Sequence, residues 1–245
     1  MIQIKPINAF NDNYIWLIST STSIAAVVDP GDAQPVIDAL QREQLQLTDI
    51  LVTHHHQDHV GGIAELQQLY PQVQIHNTAD HNKDVKILHN AISLHTMEVP
   101  GHTLDHIAFY NNDSLFCGDT LFSAGCGRVF EGTPEQMHHS LQKLAALPDT
   151  TKVYCAHEYT LANLAFAETV EPNNKDIQNH ILQSRKKRDQ KLPTLPTTIG
   201  IEKKINPFLR TKEPSVIASA KKHCNCELAT PTEVFAAIRQ WKDIF

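Results

Sequence analysis

The chain has 245 residues, 41% hydrophobic and 20% charged, with 9 Gly and 13 Pro, proportions that exclude a disordered, fibrous or collagenous molecule. Its formal charge is −6, the wrong sign for a general nucleic-acid binder. The longest strictly aliphatic run near the N-terminus, 24–28, falls far short of the roughly 20 apolar residues that cross a bilayer, and no basic-then-apolar leader precedes it, so a cytoplasmic protein without a membrane partner is expected.

In chain order, β-branched or aromatic runs predict strands at 2–5, 14–19, 25–29, 49–53, 73–76, 94–99, 107–110, 115–117 and 152–155. Helical spacing predicts helices at 33–42, 62–70, 134–146 and 161–170, with Thr133 as the N-cap before Pro134. Strands interspersed with helices make residues 1–165 a layered α/β body. Beyond it, Pro172, Asn173 and Asn174 open a polar helix reaching Lys191, and 192–200, with Pro193 and Pro196, is expected to be extended. Pro214 opens a further helix, and Thr230-Pro231-Thr232-Glu233 is a capping box starting a last one through Trp241. On that helix Phe235, Arg239 and Lys242 share a face. Residues 166–245 are therefore expected to form a helical C-terminal domain.

The charge divides along the same line. Residues 1–165 carry 7 Lys and Arg against 18 Asp and Glu (−11), and residues 166–245 carry 14 against 9 (+5). A cationic segment on an acidic protein implies an anionic partner. The run Arg185 to Arg188 reads as a solvated helix face, because it lacks interleaved aromatics and the isoelectric point is 6.2, so no nucleic-acid partner is expected. Five cysteines, Cys117, Cys126, Cys155, Cys224 and Cys226, are scattered and odd in number, which predicts core or surface thiols for most of them and no disulfide framework. Cys224-Asn225-Cys226 lacks the spacing of a zinc knuckle.

Histidine stands out. There are 15, ten of them between His54 and His106, and imidazole is the commonest biological metal ligand. In Thr53-His54-His55-His56-Gln57-Asp58-His59 the alternate residues His54, His56 and Asp58 project together from an extended or turning backbone, and His59 reaches round from the turn. Four donors plus substrate exceed what a single tetrahedral ion accepts, so two divalent ions are expected. His55 should point away. Further donors at strand ends are His102 after Gly101, Asp119 after Gly118, and His157 after Ala156, each beside a small residue. His106 and Asp29 are candidates to orient a ligand, although an Asp-Pro-Gly turn explains Asp29 as well.

His-x-His-x-Asp-His after a strand, followed by Gly-His, Gly-Asp and Ala-His in that order, resembles the metallo-β-lactamase superfamily. Within it, Asn11-Asp12-Asn13-Tyr14, Gly125-Cys126-Gly127-Arg128, Phe130-Glu131-Gly132-Thr133, His157-Glu158-Tyr159, Glu171-Pro172-Asn173, Asn206-Pro207-Phe208 and Lys242-Asp243 resemble the glyoxalase II (hydroxyacylglutathione hydrolase) family over both segments. The resemblance implies a four-layer αββα sandwich with a C-terminal α-helical domain. It implies His54, His56 and His102 on one ion, Asp58, His59 and His157 on the other, and Asp119 between them, with zinc the first choice and iron or manganese the alternatives. Glutathione would lie against Arg128, Phe130, Tyr159, Arg239 and Lys242. Phe130 stands where some members carry tyrosine, and Arg128 where others carry lysine. The implied reaction is hydrolysis of an S-(2-hydroxyacyl)glutathione, typically S-D-lactoylglutathione, by a hydroxide between the ions, with Asp58 or Asp119 taking the proton. It would remove methylglyoxal in a monomeric enzyme. The alternatives within the superfamily are a mononuclear-iron persulfide dioxygenase and a metal-dependent nuclease.

Overall fold

In a computed structural model that describes residues 2–245, the first half of the chain builds a five-stranded sheet from β1 (Gln3–Ala9), β2 (Asn13–Ser19) and β3 (Ile24–Val28), then α1 (Ala33–Glu43), β4 (Gln46–Leu51), α2 (Gln57–Val60), α3 (Ile63–Leu69) and β5 (Gln74–His76). The strands lie in chain order, antiparallel from β1 to β3 and parallel from β3 to β5. Parallel neighbours need crossovers, which α1 and the α2–α3 pair supply. Period-2 alternation sorts the side chains. In β2, Tyr14, Trp16 and Ile18 join the core shared with the second sheet, while Ile15 and Leu17 pack with Val36 and Leu40 of α1. Both faces are covered, so all seven residues of β2 are buried.

The second sheet collects β6 (Asp84–Ile87), β7 (Ile92–Glu98), β8 (Ile107–Tyr110) and β9 (Ser114–Gly118). A small hairpin, β10 (Leu121–Phe122) with β11 (Gly125–Cys126), then leads into α4 (Pro134–Ala145) and β12 (Lys152–Cys155). The remaining elements are α5 (Thr160–Val170), α6 (Lys175–Asp189), β13 (Thr197–Thr198), α7 (Ile199–Ile205), α8 (Pro214–Cys224) and α9 (Pro231–Asp243). The six-strand order is β13-β12-β9-β8-β7-β6, with β9 and β12 parallel. Met137, Leu141 and Leu144 of α4, and Phe208, Val216, Phe235 and Ile238 of the C-terminal region, belong to the same core as Phe109 and Phe116. This is the α/β arrangement with a helical C-terminal region.

Backbone chemistry sets the boundaries. Thr133 and Thr230 each close a capping box, with Gln136 and Glu233, and each is followed by proline at the first helical position. The first strand runs through Pro6 to Ala9, beyond the expected residue 5, because β1 is an edge strand and an edge tolerates a missing N–H. The expected extended stretch 192–200 ends in β13 and the start of α7. Cys117, Cys126 and Cys155 are buried thiols. Cys224 and Cys226 are the exception to the thiols expected of most cysteines, since they are joined as a disulfide across one residue. Among the described residues no helix is long and apolar enough to cross a membrane.

The two sheets are joined at one end. Tyr14 N–H donates to the Ala156 carbonyl at 2.7 Å, Trp16 Nε1 to the Cys155 carbonyl at 3.0 Å, and Ile107 N–H to the Thr53 carbonyl at 2.9 Å. The C-terminal ends of β4, β7, β9 and β12 lie at that end, and the loops that follow them carry the histidine and aspartate residues.

Candidate active site

The loop after β4 is shaped by Asp29, which holds a left-handed φ of 53° and accepts from Thr53 N–H and Thr53 Oγ1, both at 2.8 Å. Gly31 lets the chain cross over the next turn: a Cβ there would lie 1.8 Å from the Asp58 carbonyl oxygen. Gly118, at φ 47°, has Thr53 Oγ1 and the His106 ring where a Cβ would stand. No larger residue fits either place, and both close approaches bring donors from different strands together.

All seven predicted donors converge. His54 Nε2 and His102 Nε2 lie 3.1 and 3.0 Å from His56 Nδ1. His59 Nε2 and His157 Nε2 lie 3.4 and 3.5 Å from Asp58 Oδ2. Asp119 stands between these trios, with Oδ1 at 3.5 and 3.3 Å from His59 and His157 Nε2, and Oδ2 at 3.4 Å from His102 Nε2.

The far side of the rings fixes which nitrogen is free. His102 Nδ1 donates to the Arg128 carbonyl at 2.9 Å and His157 Nδ1 to Asp12 Oδ1 at 2.8 Å. Thr53 spends its one proton on Asp29, so its oxygen accepts from His54 Nδ1 at 3.0 Å. His59 Nδ1 faces Asp29 Oδ2 at 3.1 Å. The Nε2 lone pairs of His54 and His102 therefore point at His56 Nδ1, and with that nitrogen also unprotonated the three converge on a position that suits a cation. Donors bound at roughly 2.0–2.1 Å to one tetrahedral ion stand roughly 3.3 Å apart, close to the spacing found. His59 Nε2 and Asp119 Oδ1 are buried without a hydrogen-bond partner, an omission that folded proteins avoid unless another ligand is intended. The donor set fits divalent metal.

The acids and imidazoles shift one another: against burial, which lowers them, Asp119 holds His59 and His157 above the ordinary imidazole range. Burial alone would raise the Asp119 carboxyl, but His59 and His157 hold it well below the usual carboxylate range. The His59 imidazole beside it holds the Asp58 carboxyl low, against the effect of burial. Burial pushes His54 down, with His106 and His59 adding to the effect, so it is neutral at physiological pH. His106, fully buried, is pushed down to about 3 by desolvation; it stacks on His54 at 4.6 Å and its Nε2 accepts from Asp119 N–H at 3.2 Å. His55 points outward and lies between Asp105 Oδ1 at 3.1 Å and Glu131 Oε1 at 3.2 Å.

A cavity of about 410 Å³ opens onto His102 and Asp119 and is lined by Arg128, Phe130, Tyr159, Arg239 and Lys242, the five residues expected to meet substrate. Tyr159 stacks flat on His157 at 4.7 Å, and the exposed Phe130 ring lies 5.2 Å from the His102 ring. Arg239 is only 5% exposed. Its guanidinium donates to the Cys126 carbonyl and to Asp243 Oδ1, both at 3.0 Å, and lies over Phe208, leaving Nε without a partner. Lys242 donates weakly to the Ala162 carbonyl at 3.3 Å. Its ammonium is lowered to about 8, by burial first and by Arg239 next. A second cavity of about 370 Å³ lies by Ile4, Ile18, Leu94 and Phe116 and contains none of the predicted residues.

Residue types alone gave no role to several neighbours of the site. Asp12 orients His157, Asn13 Nδ2 donates to Asp58 Oδ2 at 2.9 Å, and Phe122, Cys126 and Asn163 complete the cavity wall. A single Asp or Asn in the turn before a strand carries no distinguishing spacing.

Residues 10–90 match the family model for the metallo-β-lactamase superfamily, and residues 158–245 match that for the hydroxyacylglutathione hydrolase C-terminus. Proteins named hydroxyacylglutathione hydrolase from Psychromonas ingrahamii and Vibrio parahaemolyticus are each 50% identical to this chain, and one from Aeromonas hydrophila is 51% identical, with all of both chains covered. Among solved structures, ETHE1 from Myxococcus xanthus aligns with a TM-score of 0.64 at 24% identity, covering 100% of this chain and 99% of that one. The B3 metallo-β-lactamase BLEG-1 aligns at 0.63 and 22%, covering 85% and 99%. These two likenesses speak for the fold, and the full-length relatives speak for the family: the chain belongs to the hydroxyacylglutathione hydrolases.

Proposed function

We propose that this protein hydrolyses S-(2-hydroxyacyl)glutathione thioesters, S-D-lactoylglutathione above all, to glutathione and a 2-hydroxy acid. The observation that carries this reading is one cavity lined both by cationic Arg128 and Lys242 and by His102 and Asp119 of the donor cluster. Glutathione supplies two carboxylates for the cations, and its thioester then falls towards the donors. His54, His56 and His102 would hold one divalent ion, Asp58, His59 and His157 a second, and Asp119 both, with zinc favoured. Such a pair, when bound, lowers the pKa of water from 15.7 to about 7 and offsets the negative charge that develops on the carbonyl oxygen.

The chain's own residues do the rest. Asp58 and Asp119 remain carboxylates at neutral pH, so either can take the proton of the attacking water. Asn13 fixes the Asp58 carboxylate, and Asp12 and Asp29 fix the imidazoles. Tyr159 and Phe130 line the approach, while α9, in the proposed substrate-binding segment 166–245, contributes Arg239 and Lys242. Residues 1–165 form the proposed catalytic domain. The reading includes a monomer, a cytoplasmic location and a part in disposing of methylglyoxal.

The test is metal analysis of the purified protein together with thiol release from S-D-lactoylglutathione. Two ions per chain and stoichiometric thiol are expected. One iron per chain with oxygen uptake on glutathione persulfide would overturn the reading. In Asp119→Ala both the activity and the metal content should collapse, and full metal content in that variant would refute the shared position.

A further inference from the structure

The three thiols Cys117, Cys126 and Cys155 are buried, but the Cys224–Cys226 pair lies at the surface. Cys224 ends α8, Asn225 turns the chain with a left-handed φ of 51°, and Cys226 follows, exposed, while Cys224 is half-buried. Lys221, Lys222 and His223, in the last turn of α8, precede the pair in the chain. Lys221 bonds Glu227 at 2.5 Å; Lys222 has no hydrogen-bond or carboxylate partner among the described residues. His223 stacks on Trp241 at 4.1 Å with ring planes 8° apart, and Trp241 precedes Lys242 on α9. An accessible disulfide thus follows a short cationic stretch of chain whose Lys222 is unpaired, one residue from a contact with the helix that lines the substrate cavity.

We infer that Cys224-Asn225-Cys226 is a thiol–disulfide exchange site for glutathione, distinct from the hydrolytic centre. The inference rests on the proposed reaction, which releases that thiol from every substrate molecule. Glutathione carries two carboxylates, one ammonium and the reacting sulfur, so Lys222 favours it over an uncharged thiol. Its thiolate attacks the exposed sulfur of Cys226, forming a glutathione–Cys226 disulfide and breaking the Cys224–Cys226 bond, whose electron pair leaves on Cys224 as a thiolate. A second glutathione thiolate attacks the glutathione sulfur of the mixed disulfide, and the Cys226 thiolate departs. Two glutathiones are oxidised to their disulfide, and the protein disulfide is reduced to a dithiol.

The experiment exposes the full-length, metal-loaded protein to glutathione, quenches with acid and reads intact mass and peptide maps over time. A glutathione adduct on Cys226 is expected, and Cys224→Ser should trap it when treated with glutathione disulfide. Reduction by glutathione should outpace that by 2-mercaptoethanol, after correction for thiolate fraction, by about fivefold, the worth of one unit-charge pair at about 4 Å in water. Lys222→Ala should erase the difference. The site is overturned if no adduct forms, if both cysteines stay thiols in excess glutathione disulfide, or if Lys222→Ala leaves the ratio unchanged. Hydrolysis of S-D-lactoylglutathione is followed on the same samples. Hydrolysis without an adduct overturns the exchange site alone, whereas an adduct without hydrolysis supports the site and overturns the proposed reaction.

Discussion

Asp12 reaches the centre only through His157, whose Nδ1 it accepts at 2.8 Å, and that bond decides which imidazole nitrogen faces inward. Carboxylates of this kind typically contribute 10–100-fold in metal affinity. Asp12→Asn should therefore weaken the ion proposed for Asp58, His59 and His157 by about tenfold or more while leaving the fold intact, as read by competition with a chromogenic chelator. Lys242 gives a pH prediction. Its folded-state pKa is lowered to about 8, so the ammonium is present below that pH and lost as pH rises through it. KM for a glutathione thioester should climb above about pH 8, and Lys242→Met should raise KM at neutral pH and flatten the climb, with kcat little changed. Arg239 will behave differently. It is buried and bonded to Cys126 and Asp243, so Arg239→Ala should raise KM and also lower stability by about 2 kcal/mol, because the Cys126 carbonyl loses its charged donor.

At the scale of elements, the β10–β11 hairpin shows how a short segment is held without length of its own. Glu202, fully buried on α7, accepts from Ser123 Oγ at 3.0 Å, Ala124 N–H at 2.8 Å and Thr197 Oγ1 at 2.8 Å. Asn206 donates to the Phe122 carbonyl at 3.1 Å and the Gly125 carbonyl at 2.9 Å. This clamp fixes Phe122 and Cys126, both on the cavity wall. Glu202→Gln puts an amide N–H where a backbone N–H or hydroxyl now donates, which should cost about 2 kcal/mol and raise KM. Thermal melting should fall by roughly 4–8 °C at this chain length. The same hairpin shows where sequence reading stops. Two-residue strands carry no alternation, so β10, β11 and β13 left no period to detect, and the clamp joins residues about 80 positions apart. The longer strands β2, β8 and β12, and the capped helices α4 and α9, announced themselves through β-branched runs and capping boxes. The donor cluster was legible for the same reason, since His54 to His59 lie within one turn. Its partners Asp12 and Asn13 depend on tertiary approach and were visible only as part of a family motif.

For the molecule as a whole, the unequal charge of the two parts is accounted for in more than one way. Arg210 is spent on Glu171, at 2.7 and 3.1 Å, and Arg188 bonds the Leu192 carbonyl, so much of the C-terminal positive charge is structural. Lys242 and the exposed Arg128, from the other segment, remain for an anion. Ions that bind the folded chain and not the unfolded one stabilise it, by about 2.7 kcal/mol at a hundred times the dissociation constant. Chelation should therefore lower the melting temperature by roughly 5–10 °C for each ion removed, with recovery on adding zinc; an unchanged melt would mean the donors bind no ion in the native state.

The two sheets, hydrogen-bonded at one end, divide each donor trio between them. His54 and His56 follow a strand of one sheet and His102 a strand of the other, and the same holds for Asp58 and His59 against His157. A ribosome-bound chain that has released only its first sheet owns two donors of each trio and no Asp119, too few to retain a cation against cellular competitors. On the proposed reading, a cation would therefore be retained only once both sheets have been made and joined, and it would then tie the two sheets together at the end where they are hydrogen-bonded.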